Sequence, residues 1–231
     1  MRNIVAIVLA RGGSKGIPGK NTVNFCGKPL LVWTLEHLKG VADIRSIWVS
    51  SDSPQILALA AGCGAGVLER PTELSTDDAT SESGWLHAIE CVERQEGAVD
   101  IVVAPQVTSP LRTSEDIARG LRDFQAQQCD SLFSACGIQD MFIWEKAKDG
   151  ALNSVNYDYR QRKRRQDISK RYIENGSFYI FKPSLLKSAG NRLGGRIGLT
   201  EMEAWKMFEI DSPEDLPVCE ALMRGFLLKK A

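Results

Sequence analysis

A glycine-rich, cationic segment follows the first apolar run of the chain. Residues 11–21 contain four glycines, two lysines and one arginine. Glycines let backbone N–H groups approach an anion without an intervening Cβ, and Arg11, Lys15 and Lys20 would neutralise a polyphosphate. The segment therefore predicts a phosphate-binding loop, with a basic surface turn as the alternative. A Walker loop is excluded because Ser14 occupies the position of its first glycine, and Gly12 does not begin a dinucleotide fingerprint.

Two carboxylates near the C-terminus form a second candidate site. The apolar run Met207–Ile210 predicts a last strand, in which alternation places Glu209 and Asp211 on the same face. Mg²⁺ prefers one or two carboxylates together with phosphate oxygens and water, so this pair predicts a magnesium site. The alternative is that Asp211 merely leads into a helix whose N-cap is Ser212 and whose first residue is Pro213.

Two further segments carry side chains that could bind a polar or anionic ligand. In the stretch 106–112, the amide of Gln106 can recognise hydroxyls or an acyl amide, whereas Thr108 and Ser109 either join it or only initiate a turn. The stretch 160–171 holds seven cations in twelve residues. Such a run fits a solvated surface, a nucleic-acid patch or a nuclear-import signal, but a guanidinium also pairs well with the carboxylate of a ligand.

The elements that must position these groups alternate along the chain. The predicted strands are Ile4–Ala10, Ile44–Ser50, Ile101–Ala104, Ser131–Cys136, Phe178–Phe181 and Met207–Ile210. Helical spacing recurs over 30–38, 85–92 and 117–124, the last entered through a capping box of Thr113 and Asp116. This alternation predicts an α/β fold: a three-layer α/β/α sandwich with a mainly parallel sheet and ligands beyond the carboxyl ends of the strands.

Composition limits the classes of partner. The 231 residues have a formal net charge of zero, so no whole-molecule field would attract nucleic acid or a membrane. No apolar run approaches the roughly 20 residues that cross a bilayer, and the first run is too short for a signal peptide. The six cysteines are scattered, which indicates reduced thiols in a cytoplasmic protein. His37 and His87 lie on predicted helices without a partner motif and are interpreted as structural.

Several blocks together resemble one enzyme family. The segment Ala10–Asn21 is similar to the opening motif of the acylneuraminate cytidylyltransferases, the CMP-sialic acid synthetases. Further similar blocks follow in order along the chain: 70–75 with 79–81, 106–112, 164–166, 174–176 and 209–211. Because they span nearly the whole chain, the resemblance is specific to the family and less specific to one sugar.

This resemblance implies a Rossmann-like fold of the nucleotide-diphospho-sugar transferase type, and a reaction that transfers CMP from CTP to an acidic nine-carbon sugar. It implies Mg²⁺ as cofactor, with Mn²⁺ as a substitute, and a homodimer. Residues 1–231 would form one cytidylyltransferase domain, with a dimerisation and substrate flap at about 139–171 that reaches the neighbouring site. The rivals are a cytidylyltransferase for Kdo or another acidic sugar, and a non-catalytic nucleotide-binding module.

The resemblance also assigns residues to roles. Arg11, Lys20 and Asp211 are the implied catalytic residues, and Asp211 with Glu209 the metal ligands. The family often has Asp where Glu209 stands, so Asp211 is the stronger ligand candidate. The implied nucleotide-binding residues are Ala10, Arg11, Gly12, Gly13, Ser14, Lys15, Lys20, Asn21, Arg70, Thr80 and Ser81, the last of which could instead only cap a helix. The implied substrate-binding residues are Gln106, Thr108, Ser109, Arg165, Arg171, Glu174 and Asn175.

Overall fold

The fold is built on a seven-stranded central sheet. The computed structural model describes residues 2–14, 16–139 and 141–228, without the side chain of Arg165. The sheet strands are β1 (Ile4–Leu9), β4 (Ser46–Ser51), β5 (Gly66–Glu69), β6 (Ile101–Pro105), β7 (Ser131–Ile138), β10 (Arg171–Phe181) and β11 (Ile197–Met202). Two small hairpins are formed by β2 (Asn24–Phe25) with β3 (Lys28–Pro29), and by β8 (Trp144–Lys146) with β9 (Leu152–Ser154).

The strand order of the central sheet creates a crevice. The order is β11-β7-β10-β6-β1-β4-β5, and every neighbouring pair is parallel except the two that involve β10. From β1 the chain moves outward to β4 and β5, and it then returns to β6 on the other side of β1. Strands β1 and β6 therefore flank the switch point at which open α/β sheets bind ligands.

Helices cover both faces of the sheet. They are α1 (Leu30–Lys39), α2 (Pro54–Gly62), α3 (Ser81–Glu96), α4 (Ser114–Ala126), α5 (Pro183–Ala189) and α6 (Asp215–Leu222). One core layer joins alternate side chains of β1 to α1, α2, α4 and α6, and the other joins the intervening side chains to α3 and α5. This arrangement confirms the predicted three-layer sandwich with a mainly parallel sheet.

The local predictions succeeded unevenly. The capping box of α4 is present, with Thr113 and Asp116 bonded reciprocally. The predicted strand Met207–Ile210 is wrong, because a 3-10 turn over Ala204–Met207 precedes an irregular segment there. The last helix begins at Asp215 rather than behind Ser212, since the Asp215 carboxylate accepts the backbone N–H groups of Asp211 and Ser212 and holds them in a turn.

The region predicted as a flap contains the β8–β9 hairpin and two short 3-10 turns, Tyr159–Gln161 and Arg165–Asp167. Large apolar side chains lie exposed on it, including Ile143, Leu152 and Val155. Within the described ranges, none of the helices combines the length and the apolar character that crossing a lipid bilayer requires.

Candidate active site

A cleft of about 540 Å³ opens beyond the carboxyl ends of β1 and β6. Its walls come from the glycine-rich loop, the segment 70–81, the turn after β6 and Asp211. The structure brings ten of the residues proposed from the sequence to this cleft: Arg11, Ser14, Lys20, Asn21, Arg70, Thr80, Ser81, Gln106, Thr108 and Asp211. Blocks that are far apart in the sequence thus meet in one concavity.

Lys20 and Asp211 join the two most distant parts of this site. The Lys20 ammonium lies 3.0 Å from Asp211 Oδ1 and also donates to the Ile210 carbonyl at 3.1 Å. The lysine side chain is 15% exposed, whereas that of Asp211 is 74% exposed and faces the cleft. Gly16 packs against the same segment, since a Cβ built on it would lie 2.2 Å from the Asp211 carbonyl oxygen.

The glycine-rich loop is held from within and from the neighbouring strand. Asn21, which is nearly buried, donates its side-chain amide to the Arg11 carbonyl at 2.8 Å. The Gly12 N–H donates to Asp52 Oδ1 at 2.8 Å. The Arg11 guanidinium is ion-paired with Asp77 at 2.8 Å. Asp52 follows β4 directly, and that position at a strand end was the signal by which it could have been found.

The opposite wall is formed by Arg70 and the start of α3. Arg70 is buried and donates from Nε to Ser75 Oγ at 3.0 Å. Burial lowers its pKa and the Arg11 charge lowers it further, while Asp52 opposes both effects. Thr80 caps α3 through the Ser83 N–H, so Ser81 begins the helix and its own hydroxyl is not the cap. The positive end of the helix dipole thereby faces the cleft.

The turn after β6 supplies the third wall, through Gln106 and Thr108. Ser109 is buried behind them. Arg112, the last residue of the stretch 106–112 and one without a predicted role, is fully buried beneath this turn. Its Nη1 donates to the carbonyls of Gln106 at 2.8 Å and Ser109 at 2.6 Å. No signal in a single sequence separates such a buried arginine from an exposed one.

Glu209 lies near Asp211 but in a different environment. A Cβ built on Gly176 would collide with the Glu209 carboxylate, so this carboxylate packs against the backbone of β10.

 Gly176 has a φ of +61°, in the left-handed region that favours glycine. The pKa of Glu209 is raised to about 7, mainly by burial and next by repulsion from Asp211, while the Lys20 charge opposes the rise. Because no strand forms over 207–210, strand alternation does not place Glu209 and Asp211 on one face. The two carboxylates are nevertheless close enough to repel each other.

Other residues proposed from the sequence lie outside the cleft lining. Ala10 is buried in the core, and Gly12, Gly13, Ser109 and Glu209 lie behind or beside the walls. Asn175 is 2% exposed and accepts from the Ser134 hydroxyl at 2.6 Å, so its amide is engaged in the core. Glu174 is exposed and accepts a hydrogen bond from the Tyr179 hydroxyl.

Arg171, one of the two cations proposed for the sugar carboxylate, does not line the cleft. Arg171 lines a separate cavity of about 320 Å³ in the flap region, together with Phe142 and Tyr157. Arg165 begins the 3-10 turn that precedes β10, and its side chain lies outside the described part of the structure. Lys15 also lies outside the described residues.

A three-layer α/β fold with a cationic glycine loop at the carboxyl end of a parallel strand is typical of proteins that bind phosphate-bearing ligands. The chain belongs to the cytidylyltransferase family, whose model matches residues 5–230. This confirms the resemblance seen in the sequence and places the chain among the nucleotidyltransferases.

Curated relatives of the family agree with this assignment. N-acylneuraminate cytidylyltransferase A of Danio rerio is 36% identical over 228 residues, which cover 97% of this chain and 52% of that protein. The chain thus spans about half the length of that relative. Pseudaminic acid cytidylyltransferase of Campylobacter jejuni is 32% identical over 186 residues, which cover 78% of each protein.

Solved structures show the same fold at low identity. A CMP:2-keto-3-deoxy-manno-octonic acid synthetase in complex with CTP superimposes with a TM-score of 0.73 at 16% identity, covering 97% of this chain and 100% of that one. A 4-diphosphocytidyl-2C-methyl-D-erythritol synthase from Anaerococcus prevotii gives a TM-score of 0.67 at 13% identity, covering 96% of this chain and 99% of that one.

Proposed function

We propose that this chain transfers CMP from CTP to the anomeric hydroxyl of a nonulosonic, sialic-acid-type sugar. The hydroxyl oxygen forms a bond to the α-phosphorus while the bond from that phosphorus to the bridging oxygen breaks. Pyrophosphate leaves and the hydroxyl proton is lost. The observation that carries the proposal is the contact between Lys20 and Asp211. This contact brings the glycine-rich loop and a carboxylate together at the same cleft.

The walls of the cleft suit the two reactants. Arg11, Lys20 and the start of α3 offer positive charge to a triphosphate, and Arg70 adds a buried cation beside them. Gln106 and Thr108 stand across the cleft, where they are available to sugar hydroxyls. Holding both reactants in one orientation supplies a large part of the rate acceleration in such displacements.

The chemistry of the carboxylates fits Mg²⁺ carried by the nucleotide, with Mn²⁺ as a substitute. In the described residues, no group of three or more His, Cys, Asp or Glu side chains could hold a metal ion. One or two carboxylates suffice for Mg²⁺ when phosphates and water complete its shell, so exposed Asp211 would hold it and Glu209 would assist. When bound, the ion would stabilise charge that develops around the α-phosphate.

We also propose that the protein acts in the cytoplasm as a homodimer in which the flap completes the site of the partner. The support is the exposure of Ile143, Leu152 and Val155 on the flap, at 50%, 63% and 56%. Large apolar side chains exposed on one short projecting segment are typical of an interaction surface. In a dimer the flap cations, Arg165 and Arg171 among them, would be available to the carboxylate of a sugar bound by the partner.

The proposal is tested by incubating the chain with CTP, Mg²⁺ and a panel of sugar acids. The panel contains sialic, legionaminic, pseudaminic and deaminated nonulosonic acids together with Kdo, and pyrophosphate release is measured. Release is expected with at least one nonulosonic acid, and Asp211→Asn is expected to lower kcat by roughly a hundredfold. The control Glu214→Gln changes an exposed carboxylate on the same segment and should retain activity.

Release with Kdo alone would favour the related acidic-sugar enzyme instead. CTP binding without turnover of any sugar would favour a non-catalytic nucleotide-binding module. Full activity of Asp211→Asn would remove the carboxylate from the mechanism.

A further inference from the structure

Arg112 is a buried cation held by backbone oxygens. Its side chain has no exposed area, and its Nη1 donates to the carbonyls of Gln106, Ser109 and Ser177 at 2.8, 2.6 and 3.0 Å. Its Nη2 donates to the Thr34 hydroxyl on α1 at 2.6 Å. Among the described residues it forms no ion pair. Burying a charge in this way lowers the stability of the fold, so the presence of Arg112 here calls for a specific explanation.

The two segments that Arg112 connects are those that support the acidic segment 209–211. The Thr108 carbonyl, in the middle of the turn that Arg112 binds, accepts the Ile210 N–H at 2.8 Å. Gly176, the neighbour of Ser177, packs against the Glu209 carboxylate. One guanidinium therefore lies under both supports of Glu209 and Asp211.

The surroundings of Arg112 are not those of a network optimised for stability. Arg112 Nε, Ser109 Oγ and Ser177 Oγ are buried, and each lacks a hydrogen-bond partner in the structure. Buried polar atoms without partners destabilise a fold, and they are tolerated where another requirement fixes the geometry. Here the geometry to be fixed is that of three carbonyl groups, those of Gln106 and Ser109 in the turn after β6 and that of Ser177 in β10.

We propose that Arg112 is a positioning residue that fixes the turn 106–109 and, through the bond from Ile210 to Thr108, the place of Asp211 opposite Lys20. The inference rests on the proposed function and deepens it by naming a residue that acts on the reaction without touching a substrate. Arg112 sets the distance between the sugar side of the cleft, where Gln106 stands, and the phosphate side, where Lys20 stands.

The test compares Arg112→Met and Arg112→Lys with Thr34→Val, which removes a partner of the same guanidinium away from the cleft. Hydrogen exchange is measured at the amides of Gln106, Ser109 and Ile210. These amides are expected to exchange at least tenfold faster in Arg112→Met, while amides of β1 keep their rates. Thr34→Val should lower the melting temperature without changing exchange at the three amides.

Kinetics provide the second readout. Arg112→Lys is expected to lower kcat at least tenfold and to raise KM for the sugar, while CTP binding measured without Mg²⁺ stays within twofold. If Arg112→Met fails to fold, Arg112→Lys carries the exchange comparison as well.

Unchanged exchange at Gln106 and Ile210 in the Arg112 variants would overturn the inference, and so would an equal effect of Thr34→Val. An inactive wild type would count against the proposed function. The exchange comparison would still decide on Arg112, because it does not require turnover.

Discussion

Gly16 shows how one residue type can serve two purposes in the same loop. The glycines of this loop were expected to let backbone N–H groups approach phosphate. At Gly16 the structure adds a steric demand, because a Cβ there would lie 2.2 Å from the Asp211 carbonyl oxygen. That atom belongs to the backbone and cannot rotate away. The absence of a side chain at Gly16 thus permits the loop and the acidic segment to touch.

Replacement of Gly16 by alanine should therefore separate the loop from Asp211. We expect Gly16→Ala to lower kcat by roughly tenfold or more, since displacements of about 1 Å have such effects in active sites. Gly62→Ala is the control, because a Cβ at this position of α2 meets nothing within 4 Å. Steady-state pyrophosphate release and thermal melting are measured for both variants. Equal activity of Gly16→Ala and wild type would show that the contact is dispensable.

At the residue scale, the sequence located most of the cleft but not its support. Arg11, Lys20, Gln106 and Asp211 all line the cleft, because motif residues at strand ends converge wherever parallel strands share an edge. Arg112 gave no such signal, since three of the hydrogen bonds that it donates go to backbone carbonyls. Carbonyl positions depend on the folded path of the chain and not on residue type.

At the element scale, the interior strands were predicted well because continuous apolar runs identify buried parallel strands. The segment Met207–Ile210 has a similar apolar pattern, yet it lies beside the sheet and bonds to the turn after β6 through Ile210. Strands β5 and β11 were missed. Both lie at sheet edges, where polar residues and glycines interrupt the apolar pattern.

Helix α1 carries a half-buried histidine, His37, that links folding to pH. The pKa of His37 is lowered from 6.5 to about 3, mainly by the burial of the ring and next by the Arg112 charge. The charges of Lys28 and Lys206 act in the same direction, and Asp116 opposes them. The unfolded chain therefore binds a proton at His37 at a higher pH than the folded protein does. Stability is complete above the unfolded pKa and decreases as the pH falls below it.

We expect the free energy of unfolding to fall by about 1.4 kcal/mol per pH unit from His37 between about pH 6 and pH 4.5. His37→Phe keeps a ring beside Trp33 and removes the titration, so its stability should vary much less over this range. Urea unfolding at each pH measures the effect, with His87→Phe as the control. If the free energy of unfolding of His37→Phe fell with pH as steeply as that of the wild type, other groups would cause the pH dependence.

At the scale of the whole molecule, the sheet and the flap differ in how their apolar residues are covered. The sheet is enclosed by helices on both faces, whereas the flap region exposes large apolar side chains. With a net charge of zero, the molecule has no overall repulsion to oppose self-association. The sequence predicted the flap from its change in composition, but the number of copies that assemble depends on a surface formed by folding.

The homodimer is tested by placing a charge on the flap. Val155 is 56% exposed there, and Val218, which belongs to α6 and not to the flap, is 47% exposed. We expect Val155→Asp to convert a dimer into monomers, because an unpaired carboxylate in an apolar interface must be desolvated. Val218→Asp introduces the same change outside the flap and should leave the dimer intact.

Sedimentation velocity measures the oligomeric state of both variants, and activity should fall with dissociation if the flap completes the partner's site. A monomeric wild type, or dissociation caused by Val218→Asp alone, would place the interface elsewhere or exclude it.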